Sequence, residues 1–302
     1  MTFWSNLNKM QALKNKKVKK PIKTKDGYYL QVFSRHPSHN ILRRKIVFPF
    51  PTSIRFGSTN RGNKEYYVVE LNSPDAVRTS SDKLAMKIAF KNGGVKTANW
   101  IGNVSEHEIK KEDEKHYLCV GDKKLKFPIV TKHRHGSRGT GNRLHETPES
   151  FTSWFKTKDE ESISNYIVEE FKNFDREYRL HVSKNGCFYT CRKALKSDAP
   201  QDAKWFRNDQ NCVWLLEENE QFNKPDNWSQ ITEESVKALV SVGLDFGAVD
   251  LRVQAHTNKK GEVRTNPDFI VIEINSAPSF GDLTSQYYEQ EIKKLIEEKT
   301  NI

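Results

Sequence analysis

The run Phe269-Ile270-Val271-Ile272-Glu273-Ile274-Asn275, leading into Ser276-Ala277-Pro278, constrains this chain more than any other stretch. It is apolar enough to be a buried strand, yet it ends in a carboxylate and an amide. Side chains alternate faces along a strand. Ile270, Ile272 and Ile274 are therefore predicted on one side, with Glu273 and Asn275 together on the other. Two such oxygen donors suit Mg²⁺. A third is expected from Gly247-Ala248-Val249-Asp250-Leu251-Arg252, where Asp250 sits on a second short apolar strand. A lone Glu-x-Asn is more often a solvated strand end, so the reading depends on what the rest of the chain supplies.

The 302 residues are enough for two or three subdomains with a real core. Seventeen Phe, ten Tyr and six Trp argue against general disorder. The net charge of +11 favours polyanionic partners: nucleotides, nucleic acid or an acidic peptide. Cys119, Cys187, Cys191 and Cys212 form no C-x-x-C pair and read as reduced thiols of a cytoplasmic protein. No run approaches the roughly 18 apolar residues of a membrane span, and no signal peptide is expected.

Residues 9–25 carry eight lysines and no acid, a solvated tail or an acidic-partner contact. Strands are predicted over residues 28–33, 45–50 and 66–71, with 55–60 as a loop, in a small α/β domain. Asn72-Ser73-Pro74 reads as a turn. Ser80 or Ser81 is expected to cap a helix from Asp82 to about Asn92, with Leu84, Ile88 and Phe90 inward and Gly93-Gly94 as its stop. Lys83 sits in the first turn, where the helix dipole disfavours a cation, which points to an anion there. The strand 126–132 ends in Lys132 and enters His133-Arg134-His135-Gly136-Ser137-Arg138-Gly139-Thr140-Gly141. Such a glycine-rich basic loop can wrap N–H groups around phosphates, though no Gly-Lys-Ser/Thr closes it as a Walker loop.

Strand 165–172 contains Glu169, Glu170, Phe171 and Lys172. The following hairpin places Glu177, Arg179 and His181 on one face and Tyr178, Leu180 and Val182 on the other, turns at Gly186, and returns with Arg192 and Lys193 near its end. Residues 196–230 look loop-like around Trp205-Phe206-Arg207-Asn208. Thr232 is expected to cap a helix from Glu233 to Val242, and Ile292, Leu295 and Ile296 define a closing helix over 286–299.

In this order the parts resemble the ATP-grasp superfamily, nearest to its carboxylate–amine ligases: the RimK-like alpha-L-glutamate ligases and the D-alanine–D-alanine ligases. The likeness covers roughly residues 72–290. It implies an α/β (α+β) architecture: two α+β subdomains clasping ATP, after a basic tail and small N-terminal α/β domain (1–72). The phosphate-loop subdomain would be about 95–165, and the hinge and metal-binding subdomain about 166–302, within a grasp domain of 73–302. By the same resemblance, Lys83, Lys132 and the loop Gly136, Ser137, Arg138 and Gly139 would hold the phosphates. Glu169, Glu170, Phe171 and Lys172 would form the adenine hinge, the Lys172 side chain pointing away. Glu177 would take the ribose hydroxyls, and Asp250, Glu273 and Asn275 the Mg²⁺, or Mn²⁺ in its place. Arg179 and Arg192 would lie beside the transferred phosphate and the carboxylate, with Arg207 and Asn208 on a substrate loop. The usual strand-end Lys-Pro is here Lys132-His133.

The implied activity is an ATP-dependent ligase joining a small carboxylate, such as an amino acid, to an amine. The alternatives are an ATP-grasp kinase acting on a hydroxyl, and a basic nucleic-acid-binding protein with a non-catalytic grasp.

Overall fold

The computed structural model describes residues 20–34, 36–43, 45–60, 64–137, 139–200, 205–208, 210–279 and 281–300. Most of the lysine-rich stretch and Arg138 lie outside these residues.

The first strands are β1 (Lys23–Thr24), β2 (Gly27–Tyr29), β3 (Gln31–Ser34), β4 (Val47–Phe48), β5 (Thr52–Phe56) and β6 (Val69–Leu71). β1, β2 and β4 make a small antiparallel sheet, whereas β3, β5 and β6 pair in parallel with β5 at the centre. Arg55 and Phe56, expected in a loop, are therefore in that central strand, both fully buried. The predicted strand over 28–33 is split at Leu30, its halves joining different sheets. Arg55 is tolerated inside because it donates to Glu70 at 2.8 Å and to the Asn60 carbonyl at 2.8 Å.

Helices α1 (Pro74–Ser81) and α2 (Lys83–Asn92) follow back to back. The Asn72-Ser73-Pro74 turn is a helix start: the Ser73 hydroxyl caps α1 and Pro74 opens it. Asp82, not Ser80 or Ser81, caps α2 by accepting from the Leu84 N–H at 2.9 Å. The inward face of α2 is Met86, Lys87 and Phe90, while Ile88 is exposed. Phe90 is buried as expected, while Met86 and Lys87 take the inward places expected of Leu84 and Ile88.

Next come β7 (Trp100–Ile101), β8 (Glu108–Glu112), β9 (Lys115–Val120), β10 (Lys123–Lys126), β11 (Ile129–His133), β12 (Arg143–His145), α3 (Pro148–Phe155), α4 (Glu160–Ser164) and β13 (Tyr166–Glu170). β12-β11-β13-β7 form a four-stranded sheet beside the β10-β9-β8 meander. Phe151 and Trp154 of α3 fill the space between them.

The last sheet is β16-β15-β14-β17-β18, all antiparallel, from β14 (Arg176–Ser183), β15 (Gly186–Leu195), β16 (Cys212–Leu215), β17 (Phe246–Val253) and β18 (Phe269–Asn275). One face packs on α1, α2 and α5 (Trp228–Val242) through Tyr178, Leu180, Val249, Leu251 and Val271. α5 begins at Trp228, a turn before Thr232, because Trp228 and Ile231 already reach this core. It ends at Gly243 in the left-handed conformation (φ 76°). The closing helix α6 (Asp282–Thr300) lays Tyr288, Ile292, Leu295 and Ile296 on the N-terminal parallel sheet.

Three braces tie that parallel sheet to β17 and to the turn after β18. Asn72, fully buried with φ 58°, donates to the Arg55 and Phe246 carbonyls and accepts from the Asp245 and Phe246 N–H groups. Gly57 (φ 62°) lies so near Ala277 that a Cβ on it would stand 2.8 Å from the alanine methyl. His39, stacked on Phe56, bonds the Pro278 carbonyl at 2.7 Å. Gly57→Ala should thus lower stability by roughly 1–3 kcal/mol, from left-handed strain plus the contact. A denaturant titration would check it, and an unchanged midpoint would remove Gly57 as a brace.

Candidate active site

A cleft of about 1780 Å³ opens between the four-stranded sheet, the inner face of the five-stranded sheet and the end of the N-terminal parallel sheet. Of the residues singled out from sequence, Lys83, Lys132, Gly136, Ser137, Gly139, Glu169, Glu170, Phe171, Lys172, Glu177, Arg179, Arg207, Asn208, Asp250, Glu273 and Asn275 line it. Arg138 lies outside the described residues.

Arg192 is not brought in. It faces the far side of β15 and donates to the Gln221 and Phe222 carbonyls. Its neighbour Lys193 takes the inward place, because Glu177 pairs across the hairpin with Lys193 and Arg179 with Cys191. Adjacent residues of a strand cannot share a face, and the register decided between the two.

On the first wall, Lys83 donates from the start of α2 to the Gly136 carbonyl at 2.5 Å, and its own N–H bonds the Arg134 carbonyl. Arg134 in turn pairs with the capping Asp82. The glycine loop is thereby pinned to a helix N-terminus. Burial lowers the Lys83 ammonium from its ordinary value. Gly136 has no room for a side chain: a Cβ would sit 2.3 Å from the Thr140 carbonyl oxygen. Gly139 (φ 78°) lies against the Phe206 ring, so the glycine loop and the 205–208 segment meet over the cleft.

Lys132 donates to Glu169 at 2.8 Å. The other oxygen of Glu169 is 3.3 Å from Lys87, a buried lysine one helical turn beyond Lys83. Burial alone would raise the Glu169 carboxyl; Lys132 and Lys87 outweigh it and hold it below the usual range. Burial also brings Lys87 down to about 8. Glu169 is thus engaged by two lysines rather than standing free at the end of β13, where the resemblance implies an adenine contact. Just beyond it, Glu170 accepts from Asn99, Lys172 and the Lys126 N–H, while the Phe171 N–H bonds the Pro128 carbonyl. The Lys172 side chain, expected to turn away, folds over Glu170 on the cleft wall because its ammonium finds that carboxylate at 2.9 Å.

The second wall is a lattice of charges. Arg179 holds Asp250 in a bidentate pair at 2.7 and 2.8 Å. Lys193 bridges Asp250 and Glu177, at 3.0 Å each. Arg252 reaches Glu177 at 3.0 Å and the Trp205 carbonyl at 2.6 Å, and Arg207 adds a contact to Glu177 at 3.7 Å. Burial would raise both carboxyls; Arg179 and Lys193 around Asp250, and Lys193 and Arg252 around Glu177, hold both below the carboxylate range. His181, beneath them on Tyr288, is pushed by burial to about 3 and is neutral near pH 7. Asn208 uses its side-chain oxygen locally, accepting from the Gln210 and Asn211 N–H groups.

β18 departs from simple alternation. Asp250 pairs with Glu273 but Leu251 with Val271, so Ile272 is an extra residue, a bulge. Val271 and Ile274 enter the core, whereas Ile270 and Ile272 line the cleft on the same side as Glu273 and Asn275. The Asn275 amide lies 3.4 Å from both Asp250 and Glu273. Among the described residues no three His, Cys, Asp or Glu converge; the set here is two carboxylates and an amide. Two carboxylates and an amide oxygen are a donor set fit for a hard divalent ion. Both Asp250 oxygens are already engaged, Oδ1 by Arg179 and Oδ2 by Arg179 and Lys193, so an ion there would share Asp250 with those cations.

Lys87 was missed in the sequence, and Lys193 and Arg252 were noted there without a role. Arg252 was findable by counting two residues from Asp250, and Lys87 by counting one turn from Lys83.

A scan against protein-family models gives no match, and a search of curated proteins gives none. Solved structures do match. D-alanine–D-alanine ligase of Bacillus anthracis superposes with a TM-score of 0.53 at 16% identity, over 87% of this chain and 83% of that one. Biotin carboxylase of Campylobacter jejuni gives 0.55 at 16%, over 81% of this chain and 54% of the other. The N5-carboxyaminoimidazole synthetase of Staphylococcus aureus, in complex with ADP, gives 0.53 at 17%, over 80% and 59%. The fold is ATP-grasp. The glycine loop, the end of β13 and the Glu273–Asn275 end of β18 all open onto one cleft. No described helix is long and apolar enough to cross a membrane.

Asp250 and Glu273 should separate by stability. Asp250→Asn leaves Arg179 and Lys193 underpaired in a buried site and should cost about 3–5 kcal/mol. Glu273→Gln, half-buried, should cost under about 1 kcal/mol. Since Asp250 and Glu177 ionise below their unfolded values, their stabilisation is complete above about pH 4.5 and fades as pH falls through the folded values. Chemical unfolding of both variants at pH 7 and pH 4 measures this. Equal losses at pH 7 would refute the lattice.

Proposed function

We propose that the protein is an ATP- and Mg²⁺-dependent carboxylate–amine ligase of the RimK-like kind, acting on a small carboxylate such as an amino acid. The observation that carries this is the facing of two clusters across one cleft. Lys83, Lys132 and the Gly136–Gly141 loop stand on one wall, and Asp250, Glu273 and Asn275 on the other. A polyphosphate between them would meet cations on one side and ion-binding oxygens on the other.

The chemistry explains the charges. A carboxylate attacking the γ-phosphorus brings anion to anion, so negative charge must be compensated. Lys83 and Lys132 would do so from the first wall, with N–H groups of the glycine loop. On the second wall, Lys193 and Arg252 carry the part first expected of Arg192. Glu273 and Asn275, with Asp250, would hold the Mg²⁺, which when bound neutralises phosphate charge and polarises the phosphoryl group. Attack forms the acyl–oxygen–phosphorus bond and releases ADP. The amine then displaces phosphate from the acyl carbon and loses a proton, leaving an amide. Gly139 against Phe206 would close the cleft over an intermediate that water destroys. Ile270, Ile272, Val130 and Phe171 give an apolar slot beside the hinge for a base.

The test is ADP release from ATP and Mg²⁺ in the presence of pooled amino acids, with Glu273→Ala as control. ADP should form with the pool, and the variant should lose at least about a hundredfold in rate, as expected for a group acting on transition-state charge. An acid-stable phosphate ester in place of an amide would make the protein a kinase. Absence of any ATP binding would end the ligase reading.

A further inference from the structure

Lys87 is 1% exposed and does not line the cleft, so it cannot touch a nucleotide. Its ammonium sits between Glu169 Oε1 at 3.3 Å and the Thr97 hydroxyl at 2.5 Å, and that hydroxyl donates onward to the Val271 carbonyl. Glu169, also buried, bonds Lys132 through its other oxygen. Lys132 does line the cleft. One carboxylate is therefore shared between a lysine that is fixed and a lysine that can reach a ligand.

We propose that Lys87 is a positioning residue that releases Lys132 for phosphate binding by serving as the standing counter-ion of Glu169. The inference rests on the phosphate-binding role proposed for Lys132. A buried carboxylate left without a partner costs several kcal/mol. If Lys132 were the sole partner of Glu169, moving it to a phosphate would incur that cost. With Lys87 anchored by Thr97, Glu169 stays compensated when Lys132 leaves. Charge supports the arrangement: Lys87, despite burial, is drawn toward its ionised form by Glu169. The device needs a cation that never enters the cleft, which Lys83 cannot supply, since it is bonded to Gly136 on the cleft wall.

The experiment reads the acylation rate of the Lys132 amine by an amine-reactive ester, followed by peptide mass spectrometry on the ligand-free protein. In Lys87→Met, Lys132 becomes the only partner of Glu169 and its acylation should slow about tenfold, the worth of one charge-assisted hydrogen bond. Lys87→Arg should restore the wild-type rate. Lys91→Met, which removes an exposed cation of the same helix, should leave it within about twofold. If Lys87→Met does not fold, Lys87→Gln takes its place with the same expectation. An unchanged Lys132 rate, or equal slowing in Lys91→Met, overturns the proposal. Calorimetry with ATP on the same samples should show weaker binding in Lys87→Met and recovery in Lys87→Arg. A wild type that follows the acylation pattern yet binds no ATP would overturn the ligase reading and leave the role of Lys87 toward Lys132 standing.

Discussion

The Asp250–Lys193–Glu177 bridge is the interaction on which the rest of the cleft depends. Three cations and two carboxylates occupy the inner face of one sheet, and Arg207 of the 205–208 segment adds a fourth cation, most of them out of water. Such a lattice is stable only if each charge has its partner at bonding distance. That demand sets the pairing of β14, β15 and β17, because Glu177, Arg179, Lys193, Asp250 and Arg252 must all project the same way. The opposite face of the same strands is mainly apolar and receives α1, α2 and α5, with Arg176 and Arg192 at its margin bonded to loop carbonyls. A slip of one residue would exchange the two faces and bury the charges in that core.

The two walls are tied through short polar braces rather than extensive apolar contact. Arg252 touches Glu177, the Trp205 carbonyl and the face of Phe171, joining the sheet to the 205–208 segment and the hinge. Gly139 against Phe206 continues that chain to the glycine loop, which Lys83 and Arg134 fasten to α2. The N-terminal sheet joins through Asn72, His39 and Gly57 just behind the Ser276-Ala277-Pro278 turn, and contributes His36, Gly57 and Thr59 to the cleft.

Much of the site was legible because charge and alternation are local properties. The charged face of Glu177, Arg179 and His181 does face inward, Asp250 does lie opposite Glu273, and Ile292, Leu295 and Ile296 are buried on the closing helix. The failures have physical causes. The bulge at Ile272 adds a residue that no local pattern signals, so Ile270 and Ile272 lie on the side predicted for the polar pair alone. The choice of Lys193 over Arg192 depended on hairpin register. Asn72-Ser73-Pro74 carries turn residues that equally cap a helix, and only the packing of α1 against the sheet distinguishes the two.

By itself the sequence determined which residue types could do chemistry and their order along the chain: two lysines, a glycine loop, a hinge, a charged hairpin, and Asp with Glu-x-Asn. These follow from side-chain charge and from the strand and helix periods, which are fixed by covalent geometry. Tertiary structure decided which charges are partners. Glu169 belongs to Lys87 and Lys132, Glu177 to Lys193 and Arg252, and Asp250 to Arg179, because those side chains meet across strands and helices far apart in the chain. Burial then gives each pair its strength, since a carboxylate that water would solvate must there find a cation.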